Sequence, residues 1–210
     1  MGKVAEKESA RLIISWVKWS RADVAEKFFI NNLLVGVTGS VGVLAVPEFI
    51  RLLKRDIAQD VHVMMSHSAQ KFITPYAMSL YSGNYVFTDS FDICNDVSVP
   101  HIELTRRCDV LLIMPATANI MGKVANGICD DLISTAVMAC EAPVVFVPAM
   151  NPSMWSCKAN QRNLSVLKEL GHQIVPPSEG YEIATMKPSF GSMPQFEVIA
   201  DFLKRVVAKS

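Results

Sequence analysis

Glycine and hydroxyl-bearing residues cluster where a phosphate group could bind. Residues 36–42 read GVTGSVG, directly after an apolar run, and carry neither the G-x-G-x-x-G spacing nor a Walker lysine. Small residues at a turn from strand to helix expose backbone N–H groups that bind anions, and Ser40 adds a hydroxyl donor. Ser66 and Ser68 follow a second apolar run and could reach the same anion. A tight turn, or for Ser68 an N-cap, explains these residues equally well.

A histidine and an asparagine have side chains suited to proton transfer and to binding a carboxylate. His101 follows Pro100 at a predicted helix start, and an imidazole exchanges protons close to neutral pH. Asn151 carries an amide that donates a hydrogen bond without adding a fixed charge. Taken alone, a histidine at a helix start is more often a capping or surface residue, and Asn-Pro is typical of a turn.

The hydrophobic pattern predicts the elements that must position these residues. Continuous apolar runs predict strands at 33–37, 61–65, 109–114, 144–147 and 173–175. Helical spacing predicts helices at 41–55, 69–80, in two stretches from 116 to 140, at 160–170 and at 196–207, and a long loop at 176–194. Strands without polar alternation are buried on both faces, which implies a three-layer α/β fold with a doubly wound parallel sheet, Rossmann-like in type. Ligands in such sheets bind beyond the carboxyl ends of the strands.

Composition bounds the chain to one domain with a short extension. The 210 residues carry 20 basic and 20 acidic side chains, so the charge gives no argument for nucleic-acid binding. No apolar stretch reaches the ~20 residues of a membrane span, and five cysteines without a C-x-x-C pair argue against zinc and fit a reducing cytoplasm. Residues 1–30 are predicted to form a helical extension and residues 31–210 the main domain. Apolar residues at 50% suit an oligomer with buried faces.

Two segments carry a resemblance to a known family. Residues 115–119 read PATAN and residues 148–155 read PAMNPSMW. They resemble the signature motifs P-A-S-A-N-T and P-x-M-N-x-x-M-W of the homo-oligomeric flavin-containing cysteine decarboxylases, although Thr117 replaces the usual serine and Ile120 the usual threonine. The segment HIEL, which begins at His101, is also similar to the histidine segment of that family. The resemblance runs from about residue 33 to the C-terminus.

The resemblance implies a flavoprotein fold, a flavin (FMN or FAD) between subunits, and a homotrimer or a homododecamer of four trimers. It implies these cofactor-binding residues: Gly39, Ser40, Val41, Ser66, Ser68, Pro115, Ala116, Thr117, Asn119 and Met150. It implies a catalytic acid/base in His101 and a carboxylate clamp in Asn151. The substrate contacts it implies are Asn151, Met154, Ile183 and Thr185. No metal ligand is implied.

The segment after the last predicted strand separates two branches of this family. The coenzyme A branch acts on phosphopantothenoylcysteine and carries a cysteine, in an A-C-G-D context, that re-reduces the enethiol intermediate. Here Thr185 stands at that position, and a hydroxyl cannot perform thiol redox chemistry. The run EIAT at 182–185 is similar to the corresponding segments of lantibiotic decarboxylases of the epidermin and mersacidin type.

The sequence therefore favours oxidative decarboxylation of the C-terminal cysteine of a ribosomally synthesised peptide. Oxidation of the side chain to a thioaldehyde creates an electron sink, CO₂ leaves, and an aminoenethiol remains, a step toward an aminovinyl-cysteine ring. The implied partners are a precursor peptide ending in cysteine and other enzymes of a peptide-modifying pathway. The alternatives are a phosphopantothenoylcysteine decarboxylase and a non-catalytic flavin-fold partner subunit.

Overall fold

The computed structural model describes residues 28–94, 97–182 and 185–209. Its strands are β1 (Ile30–Val37), β2 (Ala58–Met65), β3 (Val86–Phe87), β4 (Val110–Ala116), β5 (Val144–Pro148), β6 (Gln173–Ile174), β7 (Ser178–Glu182) and β8 (Lys187–Ser192). Its α-helices are α1 (Val46–Asp56), α2 (Pro75–Ser82), α3 (Pro100–Arg107), α4 (Ala118–Ala125), α5 (Leu132–Ala139), α6 (Pro152–Ser156), α7 (Lys158–Glu169) and α8 (Phe196–Val207). Short 3-10 turns occupy Val41–Ala45 and Ala69–Lys71.

Six strands form one parallel sheet in the order β3-β2-β1-β4-β5-β6. The chain runs outward from β1 to β3 on one side and from β4 to β6 on the other. The crevice between β1 and β4 is therefore the topological switch point, where open α/β sheets bind ligands. This arrangement confirms the predicted doubly wound α/β fold.

The sheet divides the core into two clusters because successive side chains of a strand point to opposite faces. In β4, Leu112 and Met114 pack with α1 and α8 residues on one face, whereas Leu111 and Ile113 pack with α4, α5 and α7 residues on the other. Every residue of β4 and of β5 is buried. The continuous apolar runs of the sequence thus identify strands covered on both sides.

The structure corrects the predicted helices at 41–55 and 69–80. Each becomes a 3-10 turn followed by an α-helix, with Pro47 in the first turn of α1 and Pro75 in the first turn of α2. Thr74 caps α2 by accepting a hydrogen bond from the Ala77 N–H, with N and Oγ1 3.1 Å apart. Proline favours the first turn of a helix because its missing N–H has no partner there, so the α-helix starts later than the apolar spacing indicates.

The predicted loop at 176–194 is also wrong. Strands β7 and β8 form an antiparallel hairpin there, separate from the main sheet. Their sequences, SEGYE and KPSFGS, contain little apolar alternation, so the hydrophobic pattern gave no strand signal. The short strand β3 was not predicted either, since only two residues pair with β2.

The predicted extension at 1–30 lies almost wholly outside the described residues, and it stays a prediction. Among the described residues, none of the helices combines the length and apolar character needed to cross a bilayer. The chain enters β1 through a polar contact: the backbone N–H groups of Asn31 and Asn32 both donate to the Asp109 carboxylate at 2.8 Å. That carboxylate joins the starts of β1 and β4.

We expect Asp109→Ala to lower the free energy of unfolding by about 1 kcal/mol, because two N–H groups lose their acceptor at a partly solvated site. Urea unfolding followed by circular dichroism measures it. Asp201→Ala is the matched control, since the Asp201 carboxylate makes an exposed contact with Lys204 at 3.7 Å and its loss should change stability by less than about 0.5 kcal/mol. Equal effects of both substitutions would contradict the assigned role of Asp109.

Candidate functional site

A cavity of about 460 Å³ opens beyond the carboxyl ends of β1, β2 and β4. The predicted site residues that line it are Gly39, Ser66, Ser68, Thr117, Asn119 and Met154. They come from segments up to 115 positions apart in the sequence, between Gly39 and Met154. The fold thus gathers part of the predicted set at the switch point of the sheet.

The hydroxyl of Thr38 joins the ends of β1 and β4. Thr38 is only 4% exposed, and its Oγ1 donates to the Pro115 carbonyl at 2.7 Å while accepting from the Thr117 N–H at 3.0 Å. The Thr117 hydroxyl lies 3.2 Å from the same oxygen. These bonds fix Thr117 at the mouth of the cavity. Thr38 is a site residue that the sequence prediction missed, because its role depends on a residue 79 positions away.

Thr117 also begins α4. Its Oγ1 accepts from the Ile120 N–H at 3.4 Å, as an N-cap does. The next two residues, Ala118 and Asn119, line the cavity, and N–H groups in a first helical turn have no partner within the helix. The start of α4 therefore presents backbone donors to the cavity, which suits an anionic group.

The turns after β1 and β2 touch one another at Gly39. A Cβ atom at Gly39 would overlap the Ser68 Cβ and lie 3.0 Å from the Ser68 carbonyl carbon. Ser66 Oγ accepts from the Ala69 N–H at 3.2 Å, and the Ser68 side chain makes no capping bond in the described chain. Ser68 therefore lies at the N-cap position of the 3-10 turn as its alternative predicts, but the capping bond comes from Ser66.

A lysine held by two aspartates forms one wall of the cavity. Lys123 Nζ lies 2.6 Å from Asp130 Oδ1 and 2.6 Å from Asp131 Oδ2. Burial alone would lower the pKa of Lys123, but its hydrogen bonds to both carboxylates raise that pKa above the ordinary value. Burial likewise opposes ionisation of Asp131, and bonds from Lys123 and Ser134 outweigh it and lower the Asp131 pKa. Lys123 is a second site residue without a predicted role, because it lies on α4 while its partners precede α5.

Five predicted cofactor-binding residues lie outside the lining of this cavity. They are Ser40, Val41, Pro115, Ala116 and Met150. Ser40 caps the 3-10 turn after β1 by accepting from the Gly42 N–H at 3.3 Å. Pro115 and Ala116 are buried at the end of β4, and Met150 is half-buried beside Asn160. Their contacts with a cofactor stay predictions.

Asn151 is held in one orientation at the start of α6. Its Oδ1 accepts from the Met154 N–H at 2.8 Å, so its amide nitrogen points away from that turn and has no partner among the described residues. The hairpin of β7 and β8 also contacts the segment that carries Asn151. The Met150 N–H donates to the Gly191 carbonyl at 3.0 Å, and the Trp155 and Phe190 rings meet edge to face. An exposed, oriented amide can donate to a carboxylate.

Thr185 and His101 do not line the cavity. Thr185 is exposed in the hairpin turn, where its hydroxyl donates to the Glu182 carboxylate at 2.9 Å, and Ile183 lies outside the described residues. His101 is half-buried in the first turn of α3, and its Nδ1 is buried without a hydrogen-bond partner in the described chain. It does not line the cavity. One described chain therefore does not bring His101 to Thr117 and Met154.

The cavity fits a flavin in its chemistry. Small residues and hydroxyl groups at Gly39, Ser66, Ser68 and Thr117, together with the N–H groups at the start of α4, suit a phosphate. Its volume lies within the roughly 300–1,000 Å³ usual for cofactor and ligand sites. A larger side chain at Gly39 would push apart the two turns that shape the cavity.

The proteins to which this chain is similar support a flavin as the ligand of the cavity. The family profile described as Flavoprotein matches residues 24–208. Curated relatives include the coenzyme A biosynthesis bifunctional protein CoaBC of Bacillus subtilis strain 168, 39% identical over 151 residues, and that of Escherichia coli K12, 38% identical over 150 residues. These alignments cover 72% and 71% of this chain but 37% of each relative. The chain thus spans little more than a third of those proteins.

Solved structures with the same fold include proteins of both branches. The FMN-dependent cysteine decarboxylase SpaF has a TM-score of 0.73 at 33% identity, covering 85% of this chain and 96% of that one. A variant of EpiD complexed with the substrate peptide DSYTC has a TM-score of 0.74 at 28% identity, covering 82% and 98%. A mutant PPC decarboxylase complexed with pantothenoylaminoethenethiol has a TM-score of 0.72 at 28% identity, covering 86% and 99%. The resemblance is confirmed for the family, and the peptide branch is not confirmed.

Gly39→Ala should weaken FMN binding at least ~10-fold, a cost of about 1.4 kcal/mol, because the added methyl group pushes the Ser68 turn out of place. Titration of apoprotein with FMN, followed by flavin fluorescence, measures the dissociation constant. The matched control is Gly42→Ala in the same turn, where a Cβ would meet its nearest atoms at 3.7 Å and binding should not change. Equal affinities for the two variants would contradict the Gly39 contact.

Gly191→Ala should displace the backbone that carries Asn151. Gly191 has a φ of +120°, and a Cβ there would overlap the Met150 carbonyl oxygen. Turnover should fall at least ~10-fold more in Gly191→Ala than in the control Gly171→Ala. Gly171 also has a positive φ, of +88°, but no atom lies within 4 Å of an added Cβ there. Steady-state kinetics and thermal unfolding of both variants separate lost turnover from lost stability. Similar turnover in the two would contradict the coupling of β8 to Asn151.

Proposed function

Because this chain belongs to the Flavoprotein family, we propose that it decarboxylates the C-terminal cysteine of a ribosomally synthesised peptide. Membership also confirms the predicted flavin cofactor. The observation that carries the choice of substrate is Thr185, which by the family resemblance takes the position of the redox cysteine of the coenzyme A branch. No cysteine lies between Cys157 and the C-terminus, so no nearby residue in the sequence replaces that thiol.

Different residues of the chain would bind the flavin and the substrate carboxylate. The start of α4 and the hydroxyl groups of Ser68 and Thr117 would hold the phosphate of the flavin. The bound flavin would supply the two-electron oxidant for the cysteine side chain. The Asn151 amide would donate to the substrate carboxylate, and its lack of charge leaves the departing CO₂ unhindered.

His101 would take the thiol proton at Nε2, since its other ring nitrogen, Nδ1, is buried. The described chain keeps this histidine apart from the cavity. We therefore propose the arrangement that the family resemblance implies, in which the complete site forms between copies of the chain in a trimer or dodecamer. The segment that leads into α3 fits this, because Phe91 is 88% exposed and Ile93 is 74% exposed, and large exposed apolar side chains often mark interfaces.

The hairpin turn would contact the peptide. Tyr181, Met186 and Phe190 are exposed there, and the turn is flanked by Glu182 and Lys187. Apolar and charged groups on an antiparallel hairpin can bind both the side chains and the backbone of an extended peptide. The precursor peptide and other enzymes of a peptide-modifying pathway are accordingly the proposed partners.

Phosphopantothenoylcysteine is the second candidate substrate, favoured by the 38–39% identity to CoaBC proteins. An assay with both substrates decides between the two. FMN-loaded protein should convert pentapeptides ending in cysteine, DSYTC among them, to products lighter by about 46 Da, the mass of CO₂ and two hydrogens. The same peptides ending in serine are the control. Conversion of phosphopantothenoylcysteine to 4′-phosphopantetheine, with no change in any cysteine-ended peptide, would refute the peptide substrate.

His101→Asn should reduce decarboxylation by about 10²- to 10⁴-fold, because a positioned acid/base is lost. FMN should still bind, since the residues proposed to hold the flavin phosphate at the start of α4 and at Ser68 are unchanged. Product formation by mass spectrometry and the flavin absorbance of the purified variant give the two readouts. His172→Asn, near the opposite edge of the sheet, is the matched control and should retain activity. Full activity in His101→Asn would remove the histidine from the mechanism.

A further inference from the structure

Two cysteines place their sulfur atoms in contact at the sheet edge opposite the flavin cavity. Cys108 follows α3 and Cys140 follows α5, and their Sγ atoms lie 3.9 Å apart across 32 positions of sequence. Both cysteines are half-buried, whereas Cys129 is exposed.

The pair is open to small molecules from one side. Cys140 lines a second cavity of about 560 Å³, together with residues at the starts of β5 and β6, such as His172, and with Arg205 of α8. This cavity is separate from the one at the carboxyl ends of the strands. A small oxidant can therefore approach Cys140 without passing through the flavin site.

The two thiols differ in reactivity because they share a hydrogen bond. The contact with Cys108 lowers the pKa of the Cys140 thiol, and the same contact, together with burial, raises the pKa of Cys108. A thiolate is the nucleophilic form of cysteine. Cys140, which also faces the cavity, is thus the sulfur that reacts first.

We propose that Cys108 and Cys140 form a reversible intrachain disulfide when the protein meets a hydroperoxide. The Cys140 thiolate attacks one peroxide oxygen, the O–O bond breaks, and Cys140 becomes a sulfenic acid. The Cys108 sulfur then attacks the Cys140 sulfur, an S–S bond forms, and the S–O bond breaks with release of water. In total, two thiols lose two electrons and two protons, and hydrogen peroxide becomes two waters.

The geometry requires only a small movement. The sulfurs must approach from 3.9 Å to the ~2.05 Å of a disulfide, and both are carried by residues at helix ends. The bond would link the C-terminal ends of two helices whose starts carry His101 and Asp131. It would also restrict the unfolded chain, so the oxidised protein should unfold at a higher temperature.

The test uses the reduced full-length protein, treated with hydrogen peroxide after removal of the reductant. We expect two of the five thiols to disappear, a mass decrease of about 2 Da, and one cross-linked peptide pair containing Cys108 and Cys140. Dithiothreitol should restore all of these. The thermal midpoint should rise on oxidation and return on reduction.

Single substitutions give the controls. Cys108→Ser and Cys140→Ser should each abolish the 2 Da loss, whereas Cys129→Ser, at an exposed cysteine, should keep it. Wild-type protein alone already decides the outcome if a variant does not fold. Oxidation of Cys140 to a sulfinic acid without the cross-link, a cross-link through another cysteine, or thiols that survive the treatment would each overturn the proposal. The result is independent of which substrate the decarboxylase site takes.

Discussion

The Thr38 hydroxyl is the contact on which the site depends. It is buried, it donates to the Pro115 carbonyl and it accepts from the Thr117 N–H. It thus joins the ends of β1 and β4, at the point where the strand order reverses. The sheet itself does not hold together the two turns that follow these strands. Thr117 can cap α4 and present its first turn to the cavity because Thr38 fixes it there. A buried hydroxyl with both of its roles satisfied costs little to bury and specifies one arrangement.

A second set of contacts connects the segment around Asn151 to the hairpin. Strand β8 bonds to Met150 through Gly191, and Phe190 packs against Trp155. The segment that holds Asn151 is therefore wedged between the sheet and the hairpin rather than left as a free turn. This explains how a surface asparagine can keep one orientation. It also connects the segment that differs between substrate branches, around Thr185, to the residue proposed to bind the carboxylate.

Much of the fold was readable from local patterns. The apolar runs located β1, β2, β4 and β5 because full burial on both faces leaves no polar alternation. The hairpin was missed because its strands are largely polar and lack apolar alternation. Likewise, both Ser66 and Ser68 can cap the following turn by residue type, and only the backbone geometry assigns the bond to Ser66. When neighbouring residues carry the same functional group, only the folded structure shows which of them makes the hydrogen bond.

The sequence by itself determined the fold class, the two signature motifs and the threonine at position 185, because each is a matter of residue type at short spacing. Tertiary structure alone decided which motif residues share a cavity, that Thr38 and Lys123 belong with them, and that His101 stands apart. It alone paired Cys108 with Cys140. The physical reason is that such contacts join residues far apart in the chain, so they depend on strand order and helix packing, which no local pattern records.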